Sequence, residues 1–346
     1  MTQTVEKTIK QILYKDMRVL ITRVQRLPGG FNCSVYKVFD NDNRTYIAKK
    51  YILREEDKRN RLLVEFKSLS YLWKHDIRVV PQPIALSVPN NIGVYEFISG
   101  ARFVKGKYTT NDIRAVTHFW QRIHELTKIP GSQSLPLAKE SCFRLSGYIS
   151  GVEKRLRMLQ KLPTVGIYES LHEFLNSEFI PFYRQARQFI KVECARRRMG
   201  LDDVLKKEYR TLSPSDLGFH NAIKKSDGTI IFHDFEYFGW DDPAKMIADF
   251  YLHPRMALPY KFREFFYKNI YNELQNDVTL PQRLPFIYML LALKWCLIML
   301  NVFRRPETVA GKNEETCQEQ LDKAKRHLNE TISEFEMRSF PLSLLA

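Results

Sequence analysis

The sequence predicts an α+β protein in two parts: a small antiparallel sheet with one helix against it, then a larger, mostly helical part. Three observations carry this. After a leading helix, the first hundred residues fall into short strands separated by turns. One strongly periodic helix interrupts those strands. From about residue 105 the apolar residues recur at helical spacing, broken by a single hairpin within 212–245. At 346 residues the chain is long for one compact domain, and its 44% apolar content is ample for a core in each part. The expected boundary gives 1–98 and 99–346.

The elements follow in order. "MTQTVEKTIKQILYKDMRVL" mixes charges with apolar residues at helical spacing and lacks the apolar core of a signal peptide. "RVLITRVQRL" reads as a strand, "PGGFNCS" as a glycine loop and "VYKVFD" as a second strand. "NDN" is a tight turn and "RTYIAKKYIL" a third strand. Within 54–75, Leu62, Leu63, Phe66, Leu69, Leu72 and Trp73 mark one face of a helix. "VVPQPIALSVPNNIGVYEFISG" returns to short strands and ends in a linker. "TTNDIRAVTHFWQRIHEL" is the next helix, with Thr110 or Asn111 as its cap. The segment 167–200 reads as a long helical pair. "FIYMLLALKWCLIMLNVF" is apolar but short for a bilayer and has Lys294 in its middle, so a buried helix is expected and no membrane span.

Charge and cysteines narrow the function classes. The formal charge of +15 favours an anionic partner. No zinc-finger spacing, RNP-like aromatic motif or basic region with heptads is present, so no nucleic acid is expected as a partner. The cysteines at 33, 142, 194, 296 and 317 are odd in number and never in a C-x-x-C pair. They read as reduced thiols of a cytoplasmic protein, without disulfide framework or zinc.

The hairpin carries the chemistry. "DLGFHN" sets Asp216 and Asn221 five positions apart, "KKSDGT" supplies an Asp-Gly turn, and "IIFHDFE" puts Asp234 at the end of an apolar strand. Phosphoryl transfer needs a divalent cation on hard oxygen ligands, and a carboxylate that aligns the acceptor hydroxyl. A catalytic Asp, an Asn five positions on and a separate downstream Asp fit that need. Singly, each acid reads as a turn or cap residue. Together, after a glycine loop and a lysine strand, they read as a site.

On these residues the chain resembles the aminoglycoside phosphotransferase and choline kinase superfamily, the small-molecule branch of the protein-kinase-like fold. The resemblance covers about residues 20–305. "SPSDLGFHN" parallels the family's loop, roughly H-G-D-L-H-x-x-N. "FHDFEYFGWDDPAKMIADF" parallels its metal strand and following block, with Asp234, Gly239, Asp242, Pro243 and Asp249 in step. The resemblance implies a bilobal kinase fold, with a nucleotide-binding lobe in 1–98. The catalytic loop, metal strand and acceptor pocket fall in 99–346. It implies Asp216 as catalytic base, and Asn221 and Asp234 as holders of Mg²⁺ against the phosphates of ATP, with GTP possible. Asp242 is expected to cap a helix and Asp249 to brace the loop. Glu236 is left between a metal-water contact and a solvent-facing role.

In the first lobe the resemblance implies a phosphate-binding lysine and an acid partner, Glu65. A V-A-I-K alignment points to Lys50 and the family's V-L-K form to Lys49. Strand alternation lets only one face inward, and Lys49 is taken, with Ile47 and Tyr51 on its face. Gly29, Gly30 and Ser34 are expected to bring backbone N–H groups to phosphate. The linker 94–100, with Glu96 and Ile98, is expected to offer backbone groups to the base.

Two positions depart from the family's pattern. Pro214 stands where the loop histidine is expected, and Gly218 replaces a second one, while His220 sits beside Asn221. The departure at 214 keeps open an alternative: a catalytically inactive, kinase-like nucleotide- or partner-binding module. No A-P-E segment follows, so a small hydroxylated acceptor is expected rather than a protein. Arg144, Lys154, Arg155, Arg157, Lys161, Arg184, Arg187 and Arg196–Arg198 make a polycationic acceptor a poor match and favour a neutral or anionic sugar or polysaccharide precursor.

Overall fold

The computed structural model describes residues 2–28, 32–53, 59–304 and 314–336. The chain divides into two compact units, Met1–Lys139 with Leu212–Trp240, and Glu140–Thr211 with Asp241–Ala346. The expected boundary after residue 98 falls inside the first unit.

The first unit is built on a five-stranded antiparallel sheet of order β1-β2-β3-β5-β4. Its strands are β1 (Ile21–Leu27), β2 (Cys33–Asp40), β3 (Thr45–Tyr51), β4 (Pro83–Ser87) and β5 (Ile92–Glu96). The turn between β2 and β3 is held by Asp40, whose Oδ1 accepts the N–H groups of Asp42 at 2.9 Å and Arg44 at 2.7 Å. Alternation along β3 gives the sheet two faces. Tyr46 and Ala48, with Tyr36 and Val38 of β2, bury against Ile9, Ile12 and Leu13 of α1 (Thr2–Met17). Tyr51 and Cys33 lie on the opposite face against Leu62 of α2 (Arg61–Lys74). The sheet therefore carries a helix on each face, where the sequence suggested one, because the leading helix has its own apolar stripe. Helix α2 starts at Arg61, capped by Asn60, whose side chain accepts the N–H of Leu63 at 3.0 Å. Its expected first residues, 54–58, lie outside the described residues.

β6 (Ala101–Arg102) pairs with β8 (Ala222–Lys224), and β8 with β9 (Ile230–Phe232). The hairpin is thus the expected one. Gly228 sits at its turn with φ of 85°, and Asp227 Oδ1 accepts the N–H of Thr229 at 2.8 Å. Asp234 lies two residues beyond β9. α3 (Thr110–Glu125) backs this hairpin, with the Phe119 ring stacked on Phe232 at 4.4 Å. Its cap is Thr109, not Thr110 or Asn111. Thr109 bonds the N–H of Asp112, and Asp112 returns the bond to the N–H of Thr109, a reciprocal arrangement. At Gly239 a Cβ would fall 2.2 Å from the Pro136 carbonyl oxygen, so only glycine fits there.

The second unit is helical: α4 (Leu145–Gln160), α5 (Glu169–Phe174), α6 (Ile180–Arg196), α7 (Pro243–Leu252), α8 (Tyr260–Tyr271), α9 (Leu280–Met299) and α10 (Glu314–Glu336). The expected pair within 167–200 is one run instead, because a π-helical turn over Leu175–Phe179 joins α5 to α6. Helix α9 and its 3₁₀ extension, Leu280–Arg304, are long and apolar enough to cross a membrane, yet 72% of the most apolar window is buried inside the protein. α4, α7 and α10 pack on α9. Asp242 caps α7 by accepting the N–H of Ala244 at 2.8 Å, with Pro243 in the first turn.

Candidate active site

The first unit gathers most of the expected residues. Lys49 projects from β3 onto the α2 side of the sheet, and its Nζ donates to Glu65 Oε1 at 2.7 Å and Asp234 Oδ1 at 3.3 Å. Lys50 points to the other face and donates to the Asn90 carbonyl. Glu65 is 2% exposed. Its Oε1 also accepts the Phe235 N–H at 3.4 Å, and its Oε2 accepts the Tyr51 hydroxyl. The Tyr51 hydroxyl lies 2.9 Å from that of Tyr95. Burial alone would lower the Lys49 pKa, but Glu65 and Asp234 more than offset it and hold the ammonium well above its ordinary value. Burial, and then Glu65, push the Tyr51 phenol far up, so it stays a donor.

Asp216 and Asn221 occupy one loop after β7 (Thr211–Ser213). Ser215 takes a left-handed φ of 67°, with its N–H on Ser213 Oγ at 2.9 Å and its hydroxyl on the Lys139 carbonyl at 3.1 Å. The serines on either side of Pro214 thus shape the turn. Asn221 Nδ2 donates to Asp216 Oδ2 at 3.0 Å and to its carbonyl at 3.1 Å, leaving Oδ1 as the amide's remaining acceptor. His220 Nε2 lies 3.0 Å from Asp216 Oδ1. The loop is tied to the hairpin by the His233 N–H, which bonds the Asn221 carbonyl at 2.9 Å. Burial drops the His233 pKa to about 4, so its imidazole is neutral at pH 7. Asp234 itself adopts φ of 72°, a conformation that costs energy for a non-glycine residue and recurs at functional sites.

Glu236 does not face solvent. It is 3% exposed, and Asn32 Nδ2, just beyond the glycine loop, donates to its Oε1 at 2.5 Å and to the Tyr237 hydroxyl at 2.6 Å. Burial, reinforced by Asp234 and Glu65, pushes the Glu236 carboxyl up to about 7.

Gly29 and Gly30 lie outside the described residues. Ser34 pairs with Lys50 in the β2–β3 register and so shares its face, while Val35 stands opposite Lys49. Glu96 uses its backbone N–H on the Gln82 carbonyl at 2.9 Å, which removes that donor from any base, and Ile98 follows it two residues beyond the end of β5. In the second unit, Asp249 bonds Trp295 Nε1 at 2.9 Å and Lys245 at 3.2 Å. Asn32 and Tyr95 were not singled out from the sequence. Tyr51 and His220 were noted there, for the Lys49 face and for the place beside Asn221, but not for these contacts.

Solved structures share this fold. Choline kinase LicA from Streptococcus pneumoniae is 17% identical at a TM-score of 0.56, over 94% of this chain and 99% of that one. Spectinomycin phosphotransferase APH(9)-Ia, solved with ADP and spectinomycin, is 13% identical at 0.62, over 93% and 98%. Amicoumacin kinase hAmiN, in complex with AMP-PNP, Ca²⁺ and Ami, is 16% identical at 0.58, over 95% and 93%. No family model matches the chain, and no curated protein matches it. The chain has the α+β, kinase-like fold of the choline kinase and aminoglycoside phosphotransferase structures.

Proposed function

We propose that the protein is an ATP-dependent phosphotransferase that moves the γ-phosphoryl group to a hydroxyl of a small molecule. The observation that carries this reading is the Lys49–Glu65–Asp234 chain, in one compact unit with the Asp216–Asn221 loop. In this reading residues 1–98 bind nucleotide, and 99–346 supply the catalytic loop and the acceptor pocket. The fold neighbours solved with ADP and AMP-PNP support ATP as donor, with GTP as a possible substitute.

Lys49, held protonated by Glu65, neutralises charge on the nucleotide phosphates. The acceptor hydroxyl donates its hydrogen bond to Asp216. As the acceptor oxygen bonds to the γ-phosphorus, the bond to the β–γ bridging oxygen breaks, the hydroxyl proton passes to Asp216, and ADP leaves. Asn221 Oδ1 and the Asp234 carboxylate are hard oxygen donors that suit Mg²⁺. Asp234 meets Lys49 through one oxygen and keeps a side chain 40% exposed, so it can take on a cation. Bound there, Mg²⁺ would offset charge on the transferred phosphoryl oxygens.

A neutral or anionic acceptor, such as a sugar or polysaccharide precursor, fits the basic residues of α4 and α6 better than a polycation does. Five free cysteines among the described residues support a cytoplasmic setting. Transfer from radiolabelled ATP to a panel of hydroxylated acceptors tests the reading. Asp216→Ala should abolish transfer while nucleotide affinity stays within about two-fold. Unchanged turnover in that variant would remove Asp216 as the base, and no transfer by the wild type to any acceptor would favour the inactive module.

A further inference from the structure

His220 stands in the short 3₁₀ turn Phe219–Asn221, and its side chain is only 5% exposed. Its Nε2 approaches Asp216 Oδ1 at 3.0 Å while Asn221 Nδ2 approaches Oδ2 at 3.0 Å. The Asp216 carboxylate is therefore held at both oxygens by donors from its own loop. The preceding residue is fixed as well: the Phe219 ring packs 4.7 Å from Phe103 and 4.6 Å from Tyr108.

A lone carboxylate on a loop turns freely about its last torsion, which has a broad, two-fold profile. Two donors fix its plane. The Asp216 side chain is 32% exposed, which leaves it open to an incoming hydroxyl. Of the two donors, Asn221 has a second task in the proposed reaction, because its Oδ1 would be a ligand of the cation. His220 has none.

We infer that His220 is a positioning residue that fixes the Asp216 carboxylate plane for the acceptor hydroxyl. This rests on the phosphotransferase reading above. It requires only that Nε2 carry the proton it donates to the Asp216 carboxylate.

The test compares wild type, His220→Ala and His220→Gln in steady-state kinetics with ATP and Mg²⁺, following ADP release with water or any active acceptor. Loss of a donor to a charged group predicts that His220→Ala lowers kcat about 10- to 100-fold with the ATP KM nearly unchanged. His220→Gln, which keeps an N–H donor, should recover much of that loss. Added imidazole should restore part of the His220→Ala activity. Unchanged kcat in His220→Ala, or a parallel loss that neither glutamine nor imidazole relieves, would overturn the proposal. Wild-type turnover separately checks the phosphotransferase reading. Histidine-selective ¹⁵N NMR checks the contact without any turnover: the His220 Nε2 signal should shift in Asp216→Ala, and an unmoved signal would also overturn it.

Discussion

Lys49 and Lys50 are neighbours with the same charge and different fates. Lys49 is locked between two carboxylates, and Lys50 rests on a backbone carbonyl of the opposite face. A charge-assisted bond to phosphate contributes about 1.5–3 kcal/mol, so Lys49→Met should weaken ATP binding about 10- to 100-fold. Lys50→Met should leave it nearly unchanged. Calorimetric titration of both variants checks this, and equal losses would contradict the assignment of the inward lysine. Strand alternation in the sequence allows only one of the two to face α2, and the bonds to Glu65 and Asp234 show that it is Lys49. The Asn32–Glu236 bond was not legible. It joins residues 204 apart in the chain, and no local pattern encodes such a pairing. The same holds for the Tyr51–Tyr95 contact across two strands. The turn around Pro214 was half legible: the missing histidine was evident, but not that Ser213 and Ser215 shape the loop.

At the scale of elements, the strands, the hairpin and the capping of α7 follow from short-range rules, and the structure keeps them. The departures are at helix ends. Thr109 caps α3 because Asp112 completes a reciprocal pair, whereas Thr110 and Asn111 compete for the same role in sequence alone. The α5–α6 run passes through a π turn that hydrophobic spacing does not reveal. Helix α3 also carries a pH dependence. His124 is buried and stacked on Trp120 at 5.0 Å, and burial, with Lys128 nearby, lowers its pKa from 6.5 to about 4. A histidine that is neutral when folded leaves stability complete above pH 6.5, its ordinary value. Stability is then lost as pH falls through about 4, by as much as ~3 kcal/mol. Urea unfolding at pH 7, 5.5 and 4 should show this fall in the wild type and a smaller one in His124→Phe. Equal falls in both proteins would contradict it.

For the molecule as a whole, the α+β class and the kinase-like fold were legible because order carries them: glycine loop, lysine strand, helix, hairpin, helical remainder. The two compact units were less so. The chain enters the first unit twice, and the pairing of β6 with β8 joins residues more than a hundred positions apart. The excess of positive charge, +15, accords with an anionic nucleotide partner but does not single one out. In the proposed function, Asp234 and its neighbours hold nucleotide phosphates through a divalent cation. The most direct measurement is the thermal shift of wild type and Asp234→Ala with ATP, with and without Mg²⁺. A ligand that binds only the native state raises apparent stability by mass action. The wild type should show a Mg²⁺-dependent rise in Tm that Asp234→Ala loses. No rise with ATP or GTP, or a rise that survives Asp234→Ala undiminished, would contradict it.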